Sequence, residues 1–135
     1  RVYTAIVYNQ FATDEGTIDK PIARHKTDRK KMAIDPNGRH AVTHYRVIER
    51  LKQNFSLVEC ELETGRTHQI RVHMASINHP LLGDEVYGPK QKPFTTQGQV
   101  LHAGVLGFEH PITGEYMEWH AELPDYFQNI LKKLR

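Results

Sequence analysis

Polar side chains that could do chemistry concentrate in one stretch of the sequence, Glu63-Thr64-Gly65-Arg66-Thr67-His68-Gln69-Ile70-Arg71-Val72-His73. A strand is predicted to end there, a turn containing Gly65 follows, and a helix is predicted to begin. The first backbone N–H groups of a helix lack intrahelical partners and favour an anion. An arginine held on a helix, such as Arg71, can bind a carboxylate or a phosphate through two parallel hydrogen bonds. The stretch therefore predicts either an anion-binding site or simply a capped helix with an exposed arginine.

The helix that would carry Arg71 is predicted from Ile70, Met74 and Ile77, whose spacing places them on one helical face. Thr67 is expected to cap its N-terminus, and Asn78-His79-Pro80 to end it. The strand before it is predicted over residues 55–62, because apolar and acidic side chains alternate there with a period of two.

The remaining elements are mostly strands. Strands are predicted over residues 2–7, 31–34, 41–51, 100–108 and 115–121, a long loop over residues 81–99, and an amphipathic helix over residues 126–134. The Asn37-Gly38 pair is a strong turn signal and predicts a hairpin between 31–34 and 40–48. The sum is an α+β fold with a mostly antiparallel mixed sheet and few helices.

Length and composition bound the class of protein. The 135 residues make one domain, and 39% apolar with 25% charged residues is an ordinary globular composition. No apolar run approaches the roughly 20 residues of a membrane-spanning helix. A single cysteine, Cys60, excludes an internal disulfide and fits a cytoplasmic setting. Because Cys60 alternates with core residues, it is expected to be a buried small hydrophobe.

Charge is distributed unevenly along the chain. The segment from Lys20 to Lys52 holds ten Lys/Arg and three Asp/Glu, whereas the rest holds eight Lys/Arg and thirteen Asp/Glu. A one-sided basic region is expected of a protein that binds a polyanion; a solvated loop and strand face is the alternative. The nine histidines would permit a metal hydrolase, but His68 and His73 are five apart and no His-Glu-x-x-His motif is present. No metal site is expected.

Taken whole, Leu62 to Ala75, followed by His79-Pro80-Leu81-Leu82-Gly83-Asp84 and Tyr87-Gly88, resembles the signature of the RluA/RluD family of pseudouridine synthases, of the large-subunit ribosomal RNA type. Other segments resemble the family in the same order: Asp19-Lys20-Pro21-Ile22, Arg24-His25, Ala41-Val42-Thr43-His44-Tyr45, Leu101-His102-Ala103, His110-Pro111 and Gly114. The resemblance implies isomerisation of uridine in RNA to pseudouridine, without a cofactor, on a base flipped out of its stack.

The resemblance also implies roles for particular residues. Tyr3 corresponds to a catalytic-site tyrosine that lies against the uracil, Arg71 to the arginine that pairs with the catalytic aspartate, and Leu101 to an apolar wall of the uracil pocket. Arg66 and His68 would shape the turn or touch the RNA substrate. The exposed cations expected to bind RNA phosphates are Arg24, Lys26, Arg29, Lys30, Lys31 and Arg39.

One element of the family pattern is missing. The catalytic aspartate belongs to a stretch resembling Arg-Leu-Asp-x-x-Thr-Ser-Gly, which should precede Tyr3, and none of the six aspartates follows Arg-Leu. Asp84, in the Gly-Asp loop motif, is interpreted as structural. Residues 1–135 are therefore expected to be the C-terminal portion of a catalytic domain, inactive without the N-terminal part of the same enzyme. The alternative is a non-catalytic RNA-binding module.

Overall fold

The computed structural model describes residues 1–90, 93, 95–109 and 111–135, apart from the side chains of residues 106, 108 and 119. Positions 91, 92 and 94 of the predicted 81–99 loop, and His110 of the His110-Pro111 pair, lie outside the described residues. No helix among the described residues is both long and apolar enough to span a membrane.

The described residues form eight strands and two helices. In chain order these are β1 (Val2–Tyr8), β2 (Glu15–Asp19), β3 (Ile22–Arg24), β4 (Met32–Ile34), β5 (Val42–Arg50), β6 (Phe55–Leu62), α1 (Gln69–Ser76), β7 (Leu101–Glu109), β8 (Tyr116–His120) and α2 (Asp125–Leu134). Six strands make one sheet in the order β2-β5-β6-β1-β7-β8, and β3 pairs with β4 in a small second sheet. All pairings are antiparallel, which confirms the predicted α+β class.

The two helices pack on opposite faces of the large sheet. Successive side chains of a strand point to opposite faces. On β1, Ile6 belongs to the core that includes Phe127 and Leu131 of α2, whereas Ala5 and Val7 belong to the core under α1. Cys60 of β6 lies in the core under α1 and is fully buried, as predicted. Burial, and secondarily the charge of Glu59, raises the pKa of this thiol to about 12.

The predicted hairpin between 31–34 and 40–48 is wrong. The turn itself exists, since the N–H of Gly38 donates to the carbonyl of Asp35 at 2.8 Å. It returns the chain to β3, however, where Ile22 and Arg39 exchange two backbone hydrogen bonds of 2.9 and 2.8 Å. A Cβ at position 38 would lie 2.6 Å from the Ile22 backbone, so this close approach requires glycine. β4 pairs with β3 instead, and β5 pairs with β2 and β6.

A buried polar network joins α1 to β5. His73 is fully buried, and its Nε2 lies 2.9 Å from the carbonyl oxygen of Lys20, which can only accept. In the neutral ring Nε2 carries the one hydrogen, so Nδ1 accepts from the Thr43 hydroxyl at 2.8 Å. Gln69 donates to Thr43 Oγ1 at 2.9 Å and to the Val42 carbonyl at 3.0 Å. This network needs His73 neutral, and burial is the main cause that lowers the pKa of His73.

The protonation of His73 should make stability depend on pH. Its pKa is lowered from 6.5 in the folded state, so the unfolded chain binds the proton more tightly. We expect the free energy of unfolding to be highest above pH 6.5 and to decrease as the pH falls toward the folded-state pKa. His73→Gln, measured by urea unfolding at pH 7.5 and 5.0, should reduce this decrease. A packing defect alone would lower both values equally, and an unchanged pH difference would contradict the prediction.

Candidate functional site

The side chains singled out from the sequence line one cavity of about 250 Å³. The cavity opens where β1, the start of β7 and the start of α1 meet, on the α1 face of the sheet. Its lining includes Tyr3, Arg66, His68, Arg71 and Leu101. The structure thus brings together every residue predicted to be catalytic or to contact the substrate, from positions that span nearly 100 residues of sequence.

The cavity is cationic and has apolar walls. Arg1 lines it together with Arg66 and Arg71, and no Asp or Glu is among the described residues that surround it. Leu62 and Ile70 add to the apolar wall. Such a lining suits a planar, weakly polar ring that carries an anionic group.

Arg71 is fixed by a buried carboxylate of this same chain. Its Nε lies 2.8 Å from Asp84 Oδ2, and its Nη2 lies 3.0 Å from Oδ1. The Asp84 side chain is fully buried, and only 12% of the Arg71 side chain is exposed. Burial acts to raise the pKa of Asp84, but the hydrogen bonds from Arg71 and from the backbone N–H groups of Val86 and Tyr87 outweigh it and lower this pKa. The pair is therefore ionised, and Nη1 of Arg71 makes no hydrogen bond with the described residues.

The loop that holds Asp84 is built around a glycine. Gly83 has a φ of 81°, a left-handed conformation in which a side chain is strained. The N–H groups of Val86 and Tyr87 then turn back to Asp84 Oδ1 at 3.0 and 3.1 Å. Asp84 thus closes its own loop while it binds Arg71. This geometry agrees with the structural role expected of Asp84 and adds the arginine as its partner.

Tyr87 connects the small sheet to the cavity. Its hydroxyl accepts the backbone N–H of Met32 on β4 at 2.8 Å and lies 2.7 Å from His68 Nδ1. The Arg71 guanidinium lies 5.1 Å from the centre of the same ring. One side chain therefore contacts two of the polar residues that line the cavity, Arg71 and His68.

The start of α1 differs from the prediction that Thr67 caps it. His68 occupies the N-cap position with φ 56° and ψ 22°, and the helix has no side-chain cap hydrogen bond. Gln69 stabilises the turn instead, since its Oε1 accepts the Arg66 N–H at 2.9 Å and the Thr64 hydroxyl at 2.7 Å. The left-handed residue directs the His68 ring to the cavity, an orientation that helical periodicity does not predict.

The six cations expected to bind RNA lie on and around the small sheet β3–β4. Arg24, Lys26, Arg29, Lys30 and Arg39 are exposed, and Lys31 is half-buried. Arg24 Nη1 donates to the Arg29 carbonyl at 2.8 Å, which orders the loop between the strands. The small sheet packs on α1, since Ile22 of β3 and Val72 of α1 share a core. The basic segment therefore flanks the helix that carries Arg71.

Sequence reasoning missed three parts of the site. Arg1 and Gln99 line the cavity but carry no local pattern. Tyr87 appears in the sequence analysis only within the Tyr87-Gly88 pair of the family resemblance, although its place three residues after Asp84 is a signal for a shared loop. Within the described part of the chain, no three His, Cys, Asp or Glu side chains are arranged to hold a metal ion.

An exposed basic surface beside a cationic cavity is the electrostatic arrangement expected of a protein that binds a polyanion. The comparisons with known proteins define the family. The chain belongs to the RNA pseudouridylate synthase family, whose model matches residues 1–76.

Curated relatives and solved structures agree with this assignment. The chain is 56% identical over 135 residues to an uncharacterized RNA pseudouridine synthase, YlyB, of Bacillus subtilis, covering all of this chain and 44% of the relative. It is 48% identical over 147 aligned positions to the ribosomal large subunit pseudouridine synthase D of Haemophilus influenzae, covering 100% and 45%. The structure of human RNA pseudouridylate synthase domain containing 1 superposes with a TM-score of 0.81 at 29% identity, covering 96% of this chain and 56% of that one. The chain thus spans less than half the length of these curated relatives.

Proposed function

We propose that the complete protein isomerises uridine in RNA to pseudouridine and that residues 1–135 form the C-terminal portion of its catalytic domain. The observation that carries this proposal is the cavity itself, in which Tyr3, Arg71 and Leu101 meet as the family resemblance implies. The name of the Haemophilus influenzae relative supports large-subunit ribosomal RNA as the substrate. Such a substrate would place the protein in the cytoplasm.

The family resemblance implies the proposed roles, and the geometry of the cavity supports them. Tyr3 and Leu101 would hold the flipped uracil between an aromatic ring and an aliphatic side chain, because a base removed from its stack needs a replacement apolar surface. Arg71 would use Nη1, the guanidinium nitrogen that Asp84 does not bind, to hold the carboxylate of a catalytic aspartate ionised and oriented. That aspartate would come from the N-terminal part of the same protein.

Tritium release from RNA that carries uridine labelled at carbon 5 tests this function. Joining the sugar to carbon 5 expels the hydrogen there into water. We expect release by the complete protein and none by residues 1–135 alone. Release by the chain alone would overturn the claim that the nucleophile lies elsewhere. If the complete protein binds RNA but releases no tritium, the alternative of a non-catalytic RNA-binding module is favoured.

RNA binding should depend on the exposed cations around the small sheet β3–β4. Lys26→Gln with Lys30→Gln removes two exposed charges whose side chains make no hydrogen bond with the described residues. We expect weaker RNA binding and a shallower salt dependence. The slope of log K against log salt should decrease by about 0.7 for each phosphate of a single strand that the protein no longer neutralises. Filter binding from 50 to 200 mM salt measures both the affinity and the slope.

A matched pair of substitutions controls for net charge. Lys52→Gln with Lys132→Gln also removes two exposed charges, but near α2, where the Lys52 N–H donates to the Leu134 carbonyl at 2.7 Å. Equal decreases in affinity for the two pairs would show that net charge, rather than the β3–β4 surface, determines binding.

A further inference from the structure

We propose that His68 donates a hydrogen bond from Nε2 to an acceptor oxygen of the target nucleotide, and that Tyr87 is the positioning residue that fixes His68 in the required tautomer. The proposal rests on the proposed function for the identity of the nucleotide. The tautomer itself follows from contacts within this chain.

The Tyr87 hydroxyl has two hydrogen-bond neighbours among the described residues. The hydroxyl carries one hydrogen and accepts the Met32 N–H at 2.8 Å. Its second neighbour is His68 Nδ1 at 2.7 Å. If Nδ1 carried a hydrogen, the hydrogen of the half-buried hydroxyl would have no acceptor among the described residues, and leaving a donor without a partner is unfavourable. The hydroxyl therefore donates to Nδ1.

The surroundings of His68 determine its charge. Desolvation and then the neighbouring Arg71 cation lower the pKa of His68; Asp84 opposes this shift and Arg24 adds to it more weakly. The ring is therefore neutral at pH 7. A neutral imidazole has one N–H, and since Nδ1 accepts, that N–H is on Nε2.

Nε2 of His68 is directed to the cavity. His68 lines the cavity, whereas Tyr87 does not, so the Nδ1 edge faces the protein and the other edge is left for the ligand. Nε2 makes no hydrogen bond with the described residues. The backbone of His68 is left-handed, with a φ of 56°. Such conformations cost free energy in non-glycine residues and cluster at functional sites.

The ligand atom is a hydrogen-bond acceptor, and a nucleotide offers three main kinds. These are a carbonyl oxygen of uracil, a ribose hydroxyl oxygen and a phosphate oxygen. Uridine carries the first two, and ribose 5-phosphate carries the last two. A change in the His68 Nε2–H resonance with uridine alone identifies the carbonyl, a change with ribose 5-phosphate alone identifies the phosphate, and a change with both identifies the ribose.

Nitrogen-15 NMR of histidine-labelled protein tests the tautomer, with His68→Gln to assign the signal. We expect a neutral ring with the hydrogen on Nε2 at pH 7. Tyr87→Phe should convert it to a mixture of tautomers and raise the pKa of His68, whereas a merely structural role of Tyr87 would leave both unchanged. A hydrogen on Nδ1 in the unmodified protein would overturn the proposal, whether or not the protein releases tritium.

Two substitutions of His68 separate donation from positioning. In His68→Gln the side-chain amide reaches the Nε2 position and can still donate. In His68→Asn the amide oxygen sits near Nδ1 and can still accept from Tyr87, but no donor reaches the cavity. Asn is among the residues with side chains that most often adopt the left-handed backbone, so we expect this variant to keep the fold.

The activity of the two variants is measured in the complete protein. We expect single-turnover rates within about threefold of the unmodified protein for His68→Gln, and a decrease of about 10-fold or more for His68→Asn, the size of one hydrogen bond made in the transition state. Equal rates for the two variants would overturn the proposal. An unmodified protein without turnover would instead overturn the proposed function, and the NMR titration with uridine and ribose 5-phosphate would still decide the contact.

Discussion

Arg71→Ala in the complete protein is expected to lower the single-turnover rate of pseudouridine formation by about 10²–10³-fold, the range for removing one electrostatic stabiliser from an active site. Arg71 is the cation that Asp84 holds at the cavity wall with one nitrogen, Nη1, left over. Arg71→Lys keeps the charge but cannot bind Asp84 through two nitrogens and still reach into the cavity. We therefore expect it to lose most of the same activity.

Arg66→Lys is the matched control. Arg66 also lines the cavity, but its Nε donates to the His40 carbonyl at 2.8 Å, and no carboxylate among the described residues fixes it. We expect its substitution to change the rate by less than about 10-fold. A rate for Arg71→Ala close to that of the unmodified protein, with RNA binding intact, would refute the role of Arg71.

Asp84→Asn is expected to be the most destabilising single change in the site. Asparagine keeps an oxygen for the N–H groups of Val86 and Tyr87 but leaves the Arg71 guanidinium without its buried counter-charge. Breaking a buried pair costs about 3–5 kcal/mol, and the lower end applies because Arg71 also faces the cavity. Urea unfolding measures the decrease in stability. A cost below about 1 kcal/mol would show that the pair contributes no more than a surface ion pair does.

Folding stability at acid pH should also depend on Asp84. The pKa of Asp84 is lowered from 3.8 in the folded state, so its stabilising contribution is present above pH 3.8 and is lost as the pH falls through the folded-state pKa. Asp84→Asn should lack this acid-dependent decrease.

Glu49→Gln provides the exposed comparison. Arg135 binds Glu49 with Nε and Nη2 at 3.0 to 3.2 Å, a similar two-nitrogen geometry. Both side chains are far more exposed, 50% for Arg135 and 37% for Glu49. We expect a cost of about 0–1 kcal/mol, so the difference between Asp84→Asn and Glu49→Gln isolates the effect of burial.

Local patterns predicted the elements well where apolar residues recur periodically in the sequence. The alternation over residues 55–62 gave β6 with its observed bounds, and the apolar face of Phe127, Ile130, Leu131 and Leu134 gave α2. The error at Asn37-Gly38 shows the limit of such patterns. The dipeptide specifies a turn, but the strand that the chain meets after a turn depends on contacts distant in sequence.

The sequence predicted which residues form the site but not how they are arranged. Family resemblance selected Tyr3, Arg71 and Leu101, and the spacing of residues 63–73 also pointed to Arg71. The pairing of Arg71 with Asp84 spans 13 residues, and the hydrogen bond between the Tyr87 hydroxyl and His68 spans 19, so both depend on a loop that folds back onto α1. No periodic pattern in the sequence predicts that this loop folds back.

The order of strands in the sheet has a consequence for how the protein folds. Tyr3 faces Ala103 across β1 and β7, a pairing between positions 100 residues apart, whereas β5 and β6 are neighbours in sequence. Closing the longer loop costs more chain entropy and slows folding. We expect pulse-labelling hydrogen exchange to show β5–β6 amides protected before those of β7. During synthesis on the ribosome, the cavity would then be completed only after β7 has left the exit tunnel.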